Sequence, residues 1–124
     1  MGAIEIGTEM VAQVSQRESE AAFVKKYYAD NIVSIEGGAN GDMPARMEGI
    51  DAIHAKHQWW YDNNEVHSTV AEGPFIGNRQ DQFAIRFVMD HTPSDGERSL
   101  ITEVALYTVA DDKIVQEEYL YLMG

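Results

Sequence analysis

The sequence predicts an α+β domain with helices first and strands last. Three observations predict it. Apolar residues recur with a helical period near the N-terminus, they alternate with a period of two from Gln82 onward, and the last three strand-like runs are joined by turns too tight for a crossover. Helices and strands segregated along a chain in this way belong to the α+β class, and tightly joined consecutive strands make an antiparallel meander.

From Ile4 to Val14 the apolar residues Ile6, Met10, Val11 and Val14 share one helical face, predicting a short first helix. Ser15 followed by Glu18 has the S-x-x-E form of a capping box, so a second helix is expected through Phe23, Val24, Tyr27 and Tyr28, ended by Asp30 and Asn31. Ile32 to Glu36 is short and β-branched, bounded by Asp-Asn and Gly37-Gly38, and reads as a strand. Gly37 to Arg46 reads as a loop able to act as a lid over a pocket mouth. Over Gly49 to Asn64, at about 100° per residue, Ile50, Ile53, His54, His57, Trp60 and Tyr61 fall on one helix face, with Trp59 opposite beside Ala52 and Ala55. Trp59 is therefore either covered by another segment or left for a partner chain.

Strands are expected from Glu65 to Glu72, ended by a Gly73-Pro74 break, and from Gln82 to Thr92, where Phe83, Ile85, Phe87 and Met89 make the buried face. Pro93 to Gly96 turns into a strand from Ser99 to Val109, and Asp111-Asp112 turns into another from Ile114 to Leu122. If Val109 stands opposite Lys113, then Glu103, Tyr107, Val115, Glu117, Tyr119 and Tyr121 project from one face. A slip of one residue sends Glu118, Leu120 and Leu122 inward instead.

The chain is 124 residues long and 44% hydrophobic, enough for one core, so a single domain over residues 1–124 is expected. Nine Lys and Arg against 21 Asp and Glu give a net charge of −12 with no basic run. Nucleic acid and an anionic membrane surface are poor partners for such a chain, because both need clustered cations. The absence of cysteine excludes disulfides, thiolate nucleophiles and Cys-based zinc sites. Glu5 and Glu9 interrupt the N-terminal stretch where a signal peptide needs a basic start and an apolar run, and no stretch is long enough to span a bilayer. A cytoplasmic location is the default expectation.

The segments YYADNIVSIEGG (Tyr27 to Gly38), EGIDAI (Glu48 to Ile53) and LYTVADDKIVQEEYLY (Leu106 to Tyr121) resemble SnoaL-like proteins of the nuclear transport factor 2-like superfamily, in order along nearly the whole chain. The resemblance implies a strongly curved antiparallel sheet wrapped around the helices into a cone, with an apolar cavity inside and homodimers formed through the sheet. The superfamily hosts isomerases, dehydratases, epoxide hydrolases, polyketide cyclases and non-enzymatic binding modules. Aligning Ala29 to Glu36 with ketosteroid isomerase places Glu36 where that enzyme keeps its carboxylate base. Ala12 stands near the place of its first-helix tyrosine, and Glu103 approaches the place of its second, protonated carboxyl.

Glu36 and His57 are the candidate catalytic pair, since a buried carboxyl or imidazole is tuned toward neutral pH. Structural readings stand beside these. Glu36 is otherwise a solvated strand-end carboxylate or a partner of Arg46, and His57 a satisfied core histidine. The candidate ligand-binding set is Tyr27, Trp60, His67, Phe87, Glu103, Glu117, Tyr119 and Tyr121; two carboxylates and several phenols inside a cone must bond one another or meet a polar ligand. His67 is at least as readily a solvated strand histidine, and the Tyr27, Tyr28, Trp59 and Trp60 cluster is more often core or dimer contact than a stacking platform for an aromatic ligand. His54 and His57 are spaced i, i+3, but no carboxylate completes an HExxH-type site, so no metal is expected. No Gly-rich phosphate loop and no nucleophilic triad can be recognised, and no cofactor is expected. The expectation is an uncharacterised pocket protein for a small hydrophobic molecule, either an acid/base isomerase, dehydratase or cyclase or a non-catalytic binding or dimeric accessory domain.

Overall fold

The computed structural model describes residues 2–14, 17–38 and 44–121, with side chains at all of these except 17–19. The helices are α1 (Ala3–Gln13), α2 (Arg17–Tyr27) and α3 (Ile50–Asn63). The strands are β1 (Tyr28–Ile35), β2 (Arg46–Glu48), β3 (Asn64–Phe75), β4 (Gln82–Pro93), β5 (Ser99–Ala110) and β6 (Lys113–Tyr121). Among the described residues they form one curved, unclosed sheet in the order β2-β1-β6-β5-β4-β3. The expected meander β4 to β6 is antiparallel throughout and β3 extends it, whereas β1 enters beside β6 in parallel.

The alternation read in β4 sets the core. Phe83, Ile85 and Phe87 are buried, with Ala105, Tyr107 and Val109 of β5 on the same face. Phe83 lies opposite Tyr107, and their rings stack at 4.9 Å. The helices contribute Ile6 and Met10 from α1, Phe23, Val24 and Tyr27 from α2, and Ile53 from α3. Gly7 lets α1 lie flat on the sheet: a Cβ there would stand 2.8 Å from both Phe83 and Pro74. Gly49 starts α3 at φ 95°, a left-handed conformation that favours glycine, and its N–H donates to the Ile32 carbonyl at 2.7 Å.

Several local expectations are corrected, and tertiary pairing is the reason each time. Asp30 and Asn31 do not end α2 but lie exposed within β1, where the pairing with β6 shifts register between Tyr28 and Val33. The expected Gly37 to Arg46 loop ends in an edge strand, with Arg46 opposite Ile35 and the Glu36 N–H donating to the Ala45 carbonyl. Strand β3 runs through Gly73-Pro74, a cis peptide, to Phe75, with a register shift there. The expected Ser15 and Glu18 cap falls outside the described residues and side chains. The final turn pairs Ala110 with Lys113 and Val109 with Ile114, and a bulge follows before Thr108 meets Gln116. That bulge absorbs Val115, which leaves the inward set, and restores Tyr107, Glu117, Ala105, Tyr119, Glu103 and Tyr121 to one face. Among the described residues no helix is long and apolar enough to cross a membrane.

Candidate functional site

Between the helices and the concave sheet lies a cavity of about 460 Å³. Its apolar wall takes Met10 from α1 and Val14 just beyond it, Phe23 and Val24 from α2, Trp60 from α3 and Phe87 and Met89 from β4. Phe83 and Ile85, on the same buried face of β4, do not line the cavity but sit in the core. Trp59 is not on an outer face: it lines the cavity, which wraps α3 over an arc from Trp59 through Lys56, Trp60 and His57 to Tyr61. His54, at the far edge of that arc, is exposed.

The polar floor is built around Glu117, which is 0% exposed. Its Oε2 accepts from the Tyr28 hydroxyl at 2.7 Å and the Tyr119 hydroxyl at 3.0 Å. Its Oε1 accepts from Ser34 at 2.9 Å and faces the Lys56 ammonium at 3.3 Å. Lys56 also donates to Ser34 Oγ at 2.8 Å, pairs with Glu36 at 2.5 Å and lies 4.2 Å from the centre of the Tyr119 ring. Burial pushes the Glu117 carboxyl up, but Lys56, the Tyr28 hydrogen bond, His57 and Ser34 together outweigh it and hold the group below the usual carboxylate range. Burial first, and then the charge on Glu117, push the Tyr28, Tyr107 and Tyr119 phenols well up, so they act as neutral donors.

Glu103 has the opposite environment. In the ladder it stands between Phe87 of β4 and Tyr121 of β6, and it makes no hydrogen bond or ion pair among the described residues. Burial, then the charges on Glu36 and Glu117, raise it to about 7 against the opposing pull of Lys56.

Glu36 and His57 line this one cavity, each with a nearer partner than the other: Lys56 for Glu36, and Glu20 at 3.4 Å from His57 Nδ1. Arg46 pairs with Glu48 at 2.8 Å rather than with Glu36. Trp60, Phe87, Glu103, Tyr119 and Tyr121 line the same cavity, with Glu117 beneath. Two candidates lie elsewhere. Tyr27 is buried in the core and its hydroxyl donates to Glu9, tying α2 to α1. His67 is exposed, 2.7 Å from Thr92 Oγ1, because β3 shifts register between Val66 and Ser68 and leaves His67 as the unpaired extra residue. Lys56 escaped the sequence reading, and Tyr28, read there as core or dimer contact, is a donor to Glu117. The available signal for Lys56 was its place one helical turn from both Ile53 and Trp60. Among the described residues no group of three His, Cys, Asp or Glu is arranged to hold a metal ion.

Helices packed against a curved sheet over a polar and aromatic cavity define a pocket-bearing α+β scaffold. The chain belongs to the SnoaL-like family, whose domain model matches residues 3–121. A Mesorhizobium loti protein assigned as a SnoaL-like polyketide cyclase, with carbohydrate phosphatase as a second designation, is 40% identical. The alignment covers 94% of this chain and 97% of that one, with a TM-score of 0.83. A Xanthomonas campestris protein of unknown function with a cystatin-like fold is similar at 14% identity and a TM-score of 0.78, over 99% of this chain and 92% of that one. A Pseudomonas putida protein assigned as a polyketide cyclase follows at 13% identity and 0.71, over 99% and 93%. The last two bear on the fold alone. No curated protein matches the chain.

Proposed function

We propose that this protein is an acid/base catalyst of the isomerase, dehydratase or cyclase type acting on an apolar cyclic or aromatic small molecule. The observation that carries the reading is the contrast between two carboxyl groups on one cavity: Glu36 in an ion pair with Lys56, and Glu103, without a partner among the described residues, raised to about 7. A carboxylate can take a proton from carbon beside a carbonyl, and a neutral carboxyl can donate to the oxygen that gains charge. His57, with Glu20, offers a second proton carrier. The assignment of the Mesorhizobium loti relative supports the same class of chemistry.

The test is exchange of α-hydrogens for solvent deuterium in a panel of cyclic and aromatic ketones, followed by NMR. Turnover is expected with the wild-type chain and a loss of about a hundredfold or more in Glu36→Gln. Ligands that raise the melting temperature but never exchange favour the second reading, binding without catalysis. That reading draws support from the closed network around Glu117, whose bonds are all internal.

The proposal includes a homodimer through the convex face of the sheet, where Val70, Leu100 and Leu120 are 53%, 69% and 52% exposed.

A further inference from the structure

The charges around the cavity do not balance. Among the described residues, Glu20, Glu36 and Glu103 line it with Glu117 beneath, against one ammonium, Lys56, and one imidazole, His57. Both cationic groups are already engaged: Lys56 is shared between Glu36 and Glu117, and His57 lies against Glu20. Glu103 is left over on an aromatic stretch of wall, between Phe87 and Tyr121 in the ladder. Among the described residues an anionic ligand entering here would meet a free carboxylate and no free cation. A neutral apolar ligand would cover Glu103 without bonding it, which costs free energy whenever that group is charged. A cation avoids both penalties, and the rings that line the cavity are themselves attractive to one.

We infer that the cavity takes a ligand with a positive charge on an apolar body, a protonated or quaternary amine whose nitrogen sits against Glu103 among aromatic rings. The inference rests on the cavity being the ligand site proposed above and narrows the ligand class; for such a ligand Glu103 holds the charge, and proton transfer falls to Glu36 and His57. A pH dependence accompanies it. The groups facing Glu103 are Glu36 at the end of β1, Lys56 from α3, Glu117, Tyr119 and Tyr121 from β6, and Tyr107 on its own strand. The carboxylates among them help hold a proton on Glu103 up to about pH 7. A bound cation favours the ionised form, so binding releases that proton and amine affinity rises as pH increases through about 7.

Trp59 and Trp60 are the two tryptophans of the chain and both line the cavity, so intrinsic fluorescence reports its occupancy. The probes are adamantylmethylamine, adamantylmethanol and adamantanecarboxylate, a shape-matched and non-fluorescent set differing in charge. One pH unit above the Glu103 value, the amine is expected to bind about tenfold tighter than the alcohol, and the carboxylate weakest. The amine-to-alcohol ratio is expected to shrink severalfold one unit below that value, a wild-type measurement that needs no variant. Glu103→Gln is expected to weaken the amine about tenfold and to leave the alcohol within about twofold. Equal binding of amine and alcohol, a ratio unmoved by pH, or a preference for the carboxylate overturns the inference and leaves the pocket reading standing. If none of the three probes changes the tryptophan emission, the inference and the pocket reading fall together.

Discussion

Glu103 and Glu117 project from the same face of adjacent strands, yet their surroundings drive them in opposite directions. Glu117 is met by two phenols, a hydroxyl and an ammonium, so its ionised form is favoured in the fold. Its contribution to stability is present above the ordinary carboxyl value and is lost as acid protonates it. Glu103 is half-buried, opposite Phe87 and Tyr121 in the ladder and with no hydrogen-bond donor among the described residues, so its neutral form is favoured. Its folded value of about 7 exceeds the ordinary 4.5. Between those values the folded chain holds a proton that the unfolded chain has lost, so stability from this group falls as pH rises across that window. The gap of about 2.5 pH units corresponds to about 3 kcal/mol at full effect, less where solvent reaches the group. Glu103→Gln is therefore expected to leave stability nearly unchanged at about pH 5 and to raise it by about 2 kcal/mol at about pH 8. Urea denaturation at the two pH values measures the difference, and an equal effect at both would remove the basis for a strained carboxyl. A group that costs stability at neutral pH is more readily understood as serving a ligand or a reaction than as serving the fold.

At the scale of elements, helix α1 shows how a local preference gives way to packing. Gly7 lies inside the helix, where alanine would ordinarily be favoured by about 1 kcal/mol. A Cβ at that position would press on the Phe83 ring and on Pro74, neither of which can swing aside as a flexible side chain would. Gly7→Ala is expected to lower stability by about 1–2 kcal/mol net, read as a drop in melting temperature, because the overpacking cost exceeds the helical gain. An unchanged or higher melting temperature would mean that α1 rides further from the sheet. The same contrast explains what the sequence made legible. Period and turn residues located α1, α3 and the strands β4 to β6, since each is a local pattern imposed by one buried face. The bulges at His67 and Val115, the edge strand β2 and the parallel entry of β1 depend on which strand becomes a neighbour, and that is not written in any one segment. Lys56 illustrates this for the site. On its own helix it reads as a solvated lysine with an apolar stem, and its role appears only when β1 brings Glu36 and Ser34, and β6 brings Glu117, against it.

For the whole molecule, the net charge of −12 and the apolar convex face act against each other in the proposed homodimer. Val70, Leu100 and Leu120 lie on the sheet face turned away from the cavity, so their pairing would leave the pocket mouth open. A stable interface needs about 800 Å² per partner, an area that a twisted face of four long strands can supply. Each copy nevertheless repels the other over distances of about a Debye length, about 8 Å at physiological salt and longer in dilute buffer. Association is therefore expected to strengthen with salt: light scattering should give twice the 13.9 kDa chain mass at physiological ionic strength and a growing monomer fraction in dilute buffer. Leu120→Lys places a charge on the convex face on a side chain that is 52% exposed, so it should yield monomer with little loss of melting temperature. A wild-type chain that stays monomeric at high salt would leave that apolar face without a second copy to cover it, and the ligand cavity would then belong to a protein that works alone.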